Sequence, residues 1–147
     1  MDKEEVFMSP DRERWYRILF WTAAVYDLTL GIVFLFFYRP AFDALGIEDT
    51  LPEHTSFLSL IAAFLFVIGI AYVFIARGDL VRNRDLIAVG ALYKLAYFSV
   101  ALWYLIGGVY PHIVFFVVFG LADLAFLIAM AECWWFVRRL ASSNASN

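Results

Sequence analysis

Four long apolar runs constrain the fold of this chain of 147 residues more than any other feature. They cover about residues 17–38, 57–75, 86–106 and 112–137. At about 1.5 Å per helical residue, each is long enough to cross a hydrocarbon core of about 30 Å. Only 17% of the residues are charged, against roughly 25% in an ordinary soluble domain. The sequence therefore predicts an all-α integral membrane domain, a four-helix bundle over residues 15–140.

Short links between the runs predict an up-down-up-down bundle, because helices joined by short links lie side by side and antiparallel. Ser9 before Pro10 is typical of a helix start, so the first helix should begin within the polar segment 1–14. The small polar residues 141–147 are predicted to form a disordered tail. Further boundaries are a capping box at Thr50-Leu51-Pro52-Glu53, a helix stop at Gly78, a cap at Asn83 and a turn at Gly107-Gly108 and Pro111.

Basic residues are concentrated on one side of the four predicted spans. If there are four spans, the N-terminus, the link between the second and third spans, and the C-terminus share one side of the membrane. The opposite side has a single base, Arg39, together with several acids. Because lysine and arginine accumulate in cytoplasmic loops, both termini are expected in the cytoplasm. The bases that carry this prediction are Lys3, Arg12, Arg14, Arg17, Arg77, Arg82, Arg84, Arg138 and Arg139.

Three charged side chains fall within otherwise apolar spans: Asp27, Lys94 and Asp123. A charge at the centre of a bilayer costs roughly 2.5–3.5 kcal/mol on insertion scales. Small residues recur on the same helix faces, and small residues let membrane helices approach closely. We therefore expect the three charges to converge in one layer, with Lys94 within about 4–6 Å of at least one carboxylate.

Two interpretations of this charged group remain open. The first is a structural lock, in which one lysine and two aspartates fix the register of three helices. The second is a site that binds or relays a proton or a small cationic or polar solute. Two carboxylates and one ammonium leave a net charge of about −1 in a low dielectric, so one acid should be protonated or a cation should compensate it. Tyr97, about one turn from Lys94, is a candidate member of this site, and a homodimer is expected to enclose it.

Several classes of function lack their sequence signals. There is one cysteine, Cys133, and no histidine inside the spans, so neither a metal site nor a heme cofactor is predicted. No catalytic motif is present, which argues against an enzyme. The arginines follow the membrane topology, so nucleic acid is not an expected partner. Glu132 near the end of the last span is expected to pair with the basic link or with Arg139.

Four segments carry a resemblance to a known group: Gly31-Ile32-Val33-Phe34 after the mid-helix aspartate, the link 76–84, Gly90 to Lys94, and Gly120 to Leu124. Over about residues 15–137 the chain resembles small bacterial four-helix membrane proteins of the DoxX-like group. The resemblance implies a multi-pass protein of the bacterial inner membrane that is associated with membrane oxidoreductase systems. It implies no site residues. It also keeps open an alternative function, a non-catalytic accessory subunit of a larger membrane complex.

Overall fold

The computed structural model describes residues 8–109 and 112–145, and every regular element within those ranges is helical. Four helices are long and apolar enough to cross a membrane, over Pro10–Phe36, Ser56–Arg77, Arg84–Ile106 and Ile113–Ser143. This confirms the four predicted apolar helices. The α-helices are α1 (Pro10–Phe36), α2 (Tyr38–Ala44), α3 (Ser56–Arg77), α4 (Arg84–Ile106), α5 (Ile113–Phe116) and α6 (Asp123–Ala145), with a 3-10 turn at Glu48–Thr50 and a π-helical segment at Val117–Ala122.

The helix boundaries agree with the sequence at the start of α1, at Gly78, which caps the end of α3, and at Gly107, which caps the end of α4, and they differ at the start of α3. Ser9 caps α1, because its Oγ accepts a hydrogen bond from the Arg12 backbone at 3.3 Å. The capping box predicted at residues 50–53 is wrong: Thr50 ends the 3-10 turn, and α3 begins only at Ser56. Asn83 occupies the N-cap position of α4 without a capping hydrogen bond from its side chain.

The last helix is longer than the sequence predicts. It runs to Ala145 rather than ending near residue 137, and it takes in most of the segment 141–147 predicted as disordered. Residues 1–7, within the polar segment 1–14, and residues 110 and 111, in the predicted turn, lie outside the described residues, as do residues 146 and 147.

The helices pack chiefly as two pairs, α1 with α3 and α4 with α6. Glycine allows the first pair to approach closely: a Cβ added at Gly69 would lie 2.7 Å from the Leu28 side chain. Arg17, near the start of α1, donates hydrogen bonds to the backbone carbonyls of Ala76 at 2.7 Å and Gly78 at 3.1 Å. These contacts place the start of α1 beside the end of α3.

The buried apolar residues form two separate clusters. We call the first the packed end; every member of its buried core is at most 8% exposed. We call the second the cavity end, because its buried Phe34 and Phe42, with side chains packed against the cluster such as Phe115 and Phe119, line an open cavity of about 340 Å³. The buried core of the packed end comprises Tyr16, Leu19, Phe20, Ala23, Ala24, Tyr72, Ile75, Ala76, Leu80, Ile87, Met130, Cys133 and Val137, and that of the cavity end comprises Phe34, Phe42, Ile47, Ala62 and Leu65.

The outward faces of the long helices remain apolar. Phe64, Val67, Leu92 and Ile128 are each more than 60% exposed. Exposed apolar side chains on every long helix are expected of a bundle whose surroundings are lipid rather than water. Together with the length of the helices, these faces indicate a multi-pass membrane protein.

Candidate functional site

The three charged residues from the apolar spans meet in the interior. Lys94 Nζ donates hydrogen bonds to both carboxylate oxygens of Asp27, at 2.7 Å and 3.0 Å. The same Nζ lies 2.9 Å from Asp123 Oδ1. Asp27 and Lys94 are completely buried, and Asp123 is only 2% exposed. The expected convergence is therefore observed, with both lysine–carboxylate distances below the expected 4–6 Å.

The two carboxylates are held unequally. Asp27 accepts two hydrogen bonds from the ammonium group, whereas Asp123 Oδ1 is at ion-pair distance without meeting hydrogen-bond geometry. Asp123 Oδ1 is buried and has no hydrogen-bond partner among the described residues. A buried carboxylate oxygen is normally hydrogen-bonded, because leaving it unsatisfied costs its full desolvation penalty. Asp123 is therefore the member of the group with unused capacity to accept a proton or contact a cation.

Four aromatic rings surround the ammonium group. The distances from Lys94 Nζ to the ring centroids are 4.9 Å for Tyr26, 5.3 Å for Phe126, 5.4 Å for Tyr93 and 5.8 Å for Tyr72. A cation within about 6 Å of a ring face is attracted by the ring's quadrupole. The rings therefore supply partial compensation for a lysine that has left water, and they exclude solvent from the ion pairs.

Sequence reasoning did not identify this aromatic cage, although part of its signal was present. Phe126 lies three residues after Asp123, and residues three apart share a helix face. Tyr26 adjoins Asp27, and consecutive residues of a helix point about 100° apart. The Tyr26 ring nevertheless reaches Lys94 from a neighbouring helix. Tyr72 lies on α3, which contributes no charge to the group, and no pattern marked it.

A π-helical segment, Val117–Ala122, immediately precedes Asp123. The Tyr26 hydroxyl donates a hydrogen bond to the carbonyl of Val118 within this segment. A π-turn inserts about one extra residue, which rotates the following helix face by about 100° relative to a straight α-helix. Such segments occur frequently at functional sites. The segment therefore sets the face on which Asp123 lies, and α1 supports it through Tyr26.

Tyr97, the predicted further member of the site, adjoins Tyr93, one of the rings around Lys94. Its ring lies 4.8 Å from that of Tyr93 and 6.0 Å from that of Phe119, and it lines the cavity. The Tyr93 hydroxyl is buried and lies near the Tyr97 hydroxyl without meeting hydrogen-bond geometry. Tyr93 and Tyr97 thus form a line of contacts from Lys94 to the wall of the cavity.

The opposite side of the charged group is closed. Tyr72 donates a hydrogen bond to the Gly90 carbonyl at 3.2 Å, and a Cβ at Gly90 would lie only 2.6 Å from the Tyr72 ring. Ile75, three residues after Tyr72 on α3, and Ile87, three residues before Gly90 on α4, have no exposed surface. Van der Waals packing of this density leaves no space for a hydrated solute. This side of the charged group is therefore closely packed, whereas the side of Tyr93 and Tyr97 leads toward the cavity.

Glu132 does not pair as the sequence suggested. The expected partners were the basic link or Arg139, but Glu132 instead accepts hydrogen bonds from Arg12 at 3.1 Å and from the Tyr16 hydroxyl at 2.8 Å. This contact joins the start of α1 to α6. Across residues 8–109 and 112–145, no group of three or more histidine, cysteine or acidic side chains is arranged to hold a metal ion.

Comparisons with protein-family models, with curated proteins and with solved structures found no match to this chain. The fold and the site therefore define its class on their own: a multi-pass membrane protein with four apolar helices and a buried Asp–Lys–Asp group. The resemblance to the DoxX-like group stays a prediction.

Proposed function

We propose that the buried group binds or relays a proton or a small cationic solute, with Asp123 as the exchanging carboxylate. One observation carries this proposal: the buried Asp123 Oδ1 meets Lys94 Nζ at 2.9 Å as an ion pair that falls outside the hydrogen-bond geometry of both Asp27 contacts. A group serving only as a lock gains from satisfying every buried oxygen. The incomplete coordination of Asp123 favours a site with a second, occupied state.

Each charged residue then has a separate role. Lys94 stays paired with Asp27 through two hydrogen bonds, and this pair is formally neutral. Asp123 supplies the remaining negative charge, which a proton on Oδ1 or a nearby cation would neutralise. Intramembrane carboxylates that alternate in this way are typical of proton relays and ion pathways.

The cavity end supports access to the group from one side. Its cavity of about 340 Å³ is bounded by Tyr97, and Tyr97 leads through Tyr93 to Lys94. The cavity walls are otherwise mainly apolar, with aromatic residues such as Phe115 and Phe119. A proton or a small solute that sheds its water suits this route better than a large polar molecule does.

We further propose an up-down-up-down arrangement with both termini in the cytoplasm of a bacterial cell, in its inner membrane. The contacts from Arg17 to Ala76 and Gly78, and from Arg12 to Glu132, support it. In a variant lacking Cys133, a membrane-impermeant thiol reagent added to intact cells should label a cysteine at position 48. It should not label a cysteine at position 83 or 143, and labelling of position 83 would overturn the four-span topology.

The alternative is that the chain is an accessory subunit of a larger membrane complex, with the charged group as a lock. Lys94 lies within 3.0 Å of both carboxylates, as a lock between three helices requires. Such a subunit needs no route to the group and should copurify with its partners. The first proposal differs in this respect, because it includes a homodimer that encloses the cavity end.

The decisive experiment replaces the whole group at once, with Asp27→Asn, Lys94→Met and Asp123→Asn in one chain. Replacing a complete buried ionic group is often neutral or stabilising, so this variant should melt in detergent at or above the wild-type temperature. It should nevertheless fail to complement a strain from which the gene is deleted. Glu132→Gln, a carboxylate change elsewhere on α6, is the control and should complement. A stable triple variant that complements fully would contradict the proposal and favour the accessory subunit.

A further inference from the structure

Three adjoining clefts surround the last turns of α6, at the opposite end of the molecule from the cavity. Their volumes are about 560, 340 and 460 Å³. The first two share Trp135 and Arg139, and the second and third share Trp134, Arg138 and Ser142. They therefore form one continuous surface of arginine and tryptophan at the end of a membrane-spanning helix.

The charges on this surface do not balance. Two acids line the clefts, Glu132 and Asp85, and each has its own arginine: Arg12 at 3.1 Å and Arg84 at 3.7 Å. The other two arginines, 138 and 139, form no ion pair with any described carboxylate. Two positive charges consequently remain without an acidic partner on the surface of the described chain.

Both unpaired guanidinium groups are held in place by aromatic rings. Arg138 lies 5.2 Å from the centroid of the Trp134 ring, and Arg139 lies 5.0 Å from that of Trp135. Stacking on a ring satisfies one face of a guanidinium and leaves its N–H groups free along the edge. Those N–H groups have the fork geometry that matches the oxygens of a phosphate. Tryptophan at a helix end also favours the headgroup level of a bilayer.

We propose that Arg138 and Arg139 bind the phosphate of an anionic phospholipid, whose glycerol and first acyl carbons lie against Trp134 and Trp135. The headgroup supplies the missing negative charge, and the apolar ring surfaces match the boundary between headgroup and chain. Basic pockets between membrane helices bind anionic headgroups in this way. The inference does not depend on the function of the buried Asp–Lys–Asp group.

Native mass spectrometry of the purified full chain tests the proposal directly. The protein is mixed with equal amounts of phosphatidylglycerol and phosphatidylcholine, and the retained lipids are counted. Wild type should retain phosphatidylglycerol in preference. Arg138→Gln with Arg139→Gln should weaken that retention on the order of thirtyfold, because two basic contacts near the membrane surface are lost. Arg138 and Arg139 are both exposed, so replacing them should leave the fold intact. An unchanged melting temperature of the double variant verifies this.

Arg39→Gln is the matched control for the single variant Arg139→Gln. Arg39 also lies over an aromatic ring, Tyr38 at 5.9 Å, but it follows the far end of α1. Arg39→Gln should leave phosphatidylglycerol retention within twofold of wild type, and Arg139→Gln should not. Equal loss in the two single variants, or retention by the double variant, would overturn the proposal. Displacement of the lipid by millimolar inorganic phosphate would also overturn it, since the site would then select free phosphate.

Discussion

The two ends of the bundle solve the same packing problem differently. At the packed end, Phe20, Ile75, Ile87 and Met130 have no exposed surface, and glycine at position 90 admits the Tyr72 ring. At the cavity end, the aromatic residues surround a space of about 340 Å³ instead of filling it. Both ends are built from apolar residues, so composition does not distinguish them. The difference lies in how completely the side chains occupy the space between the helices.

The charged group lies at the boundary between the two ends. Along α1, Asp27 falls between Ala24 of the packed end and Phe34 of the cavity end, and Asp123 falls between Phe119, which packs against the cavity end, and Phe126, which packs against the packed end. One side therefore holds the carboxylates in fixed positions, and the other side leaves them a possible approach. A site that exchanges a proton or a cation needs both properties.

The largest effect should follow removal of the lysine alone. Lys94→Met leaves two buried carboxylates without their cation, which should cost about 3–5 kcal/mol of the free energy of unfolding. The triple variant that neutralises all three charges should recover that loss. Unfolding by denaturant in mixed micelles measures both. If Lys94→Met were as stable as the triple variant, the two carboxylates would already be hydrated. The packed end would then not be closed to water.

The next largest effect contrasts two phenylalanines. Phe20→Ala at the packed end removes a completely buried ring next to Tyr72 and should cost roughly 2–4 kcal/mol, because its neighbours cannot collapse into the space. Phe119→Ala, half-buried beside an existing cavity, should cost about half as much. The same micelle titration compares the two. Equal losses would remove the distinction between the ends.

Enlarging a side chain should change stability in opposite directions at the two ends, and by less than removing a phenylalanine does. Ala101, on the cavity wall, and Ala23, in the packed end, are both buried. Ala101→Leu should be neutral or stabilise by about 0.5–2 kcal/mol, since it fills space already present. Ala23→Leu should destabilise by about 1–3 kcal/mol, since nothing there can move aside. Melting temperatures in one detergent rank them, and an order reversed from this one would contradict the assignment of the two ends.

The smallest effect concerns two tyrosine hydroxyls near the charged group. Tyr26→Phe removes the hydrogen bond to the Val118 carbonyl and should cost about 0.5–1.5 kcal/mol. Tyr93→Phe removes a buried hydroxyl that lies near the Tyr97 hydroxyl outside hydrogen-bond geometry, so it should cost less than Tyr26→Phe, about 0–0.5 kcal/mol. Chemical unfolding of both variants side by side provides the comparison. A marked loss of stability in Tyr93→Phe would show that this hydroxyl is engaged structurally.

Hydropathy, together with the free-energy cost of placing a charge inside a membrane span, predicts much of this structure from the sequence alone. Long apolar runs leave few alternatives to membrane-spanning helices, and a charge inside such a run needs compensation. Asp27, Lys94 and Asp123 could therefore be expected to meet from the sequence alone. The start of α1 was also readable, because Ser9 caps the helix within its own first turn.

What the sequence did not reveal depends on contacts between distant segments or on backbone geometry. The π-helical segment at Val117–Ala122 has the same hydropathy as an α-helix, so no periodicity marks it. Glu132 meets Arg12 across the bundle, and Tyr72 reaches Lys94 from α3, a helix that contributes no charge to the buried group. The capping box expected at residues 50–53 has suitable side chains, but the chain forms a 3-10 turn at Thr50 and starts α3 later.

We expect the charged group to be reached from the cavity end and to be closed at the packed end. Cysteine accessibility tests it most directly, in a Cys133→Ala background that carries either Ala101→Cys or Ala76→Cys. Both positions are buried alanines on membrane helices, one on the cavity wall and one in the packed end. A small cationic methanethiosulfonate should modify the cysteine at position 101 and spare the one at position 76. Modification at position 76 with protection at position 101 would contradict the account.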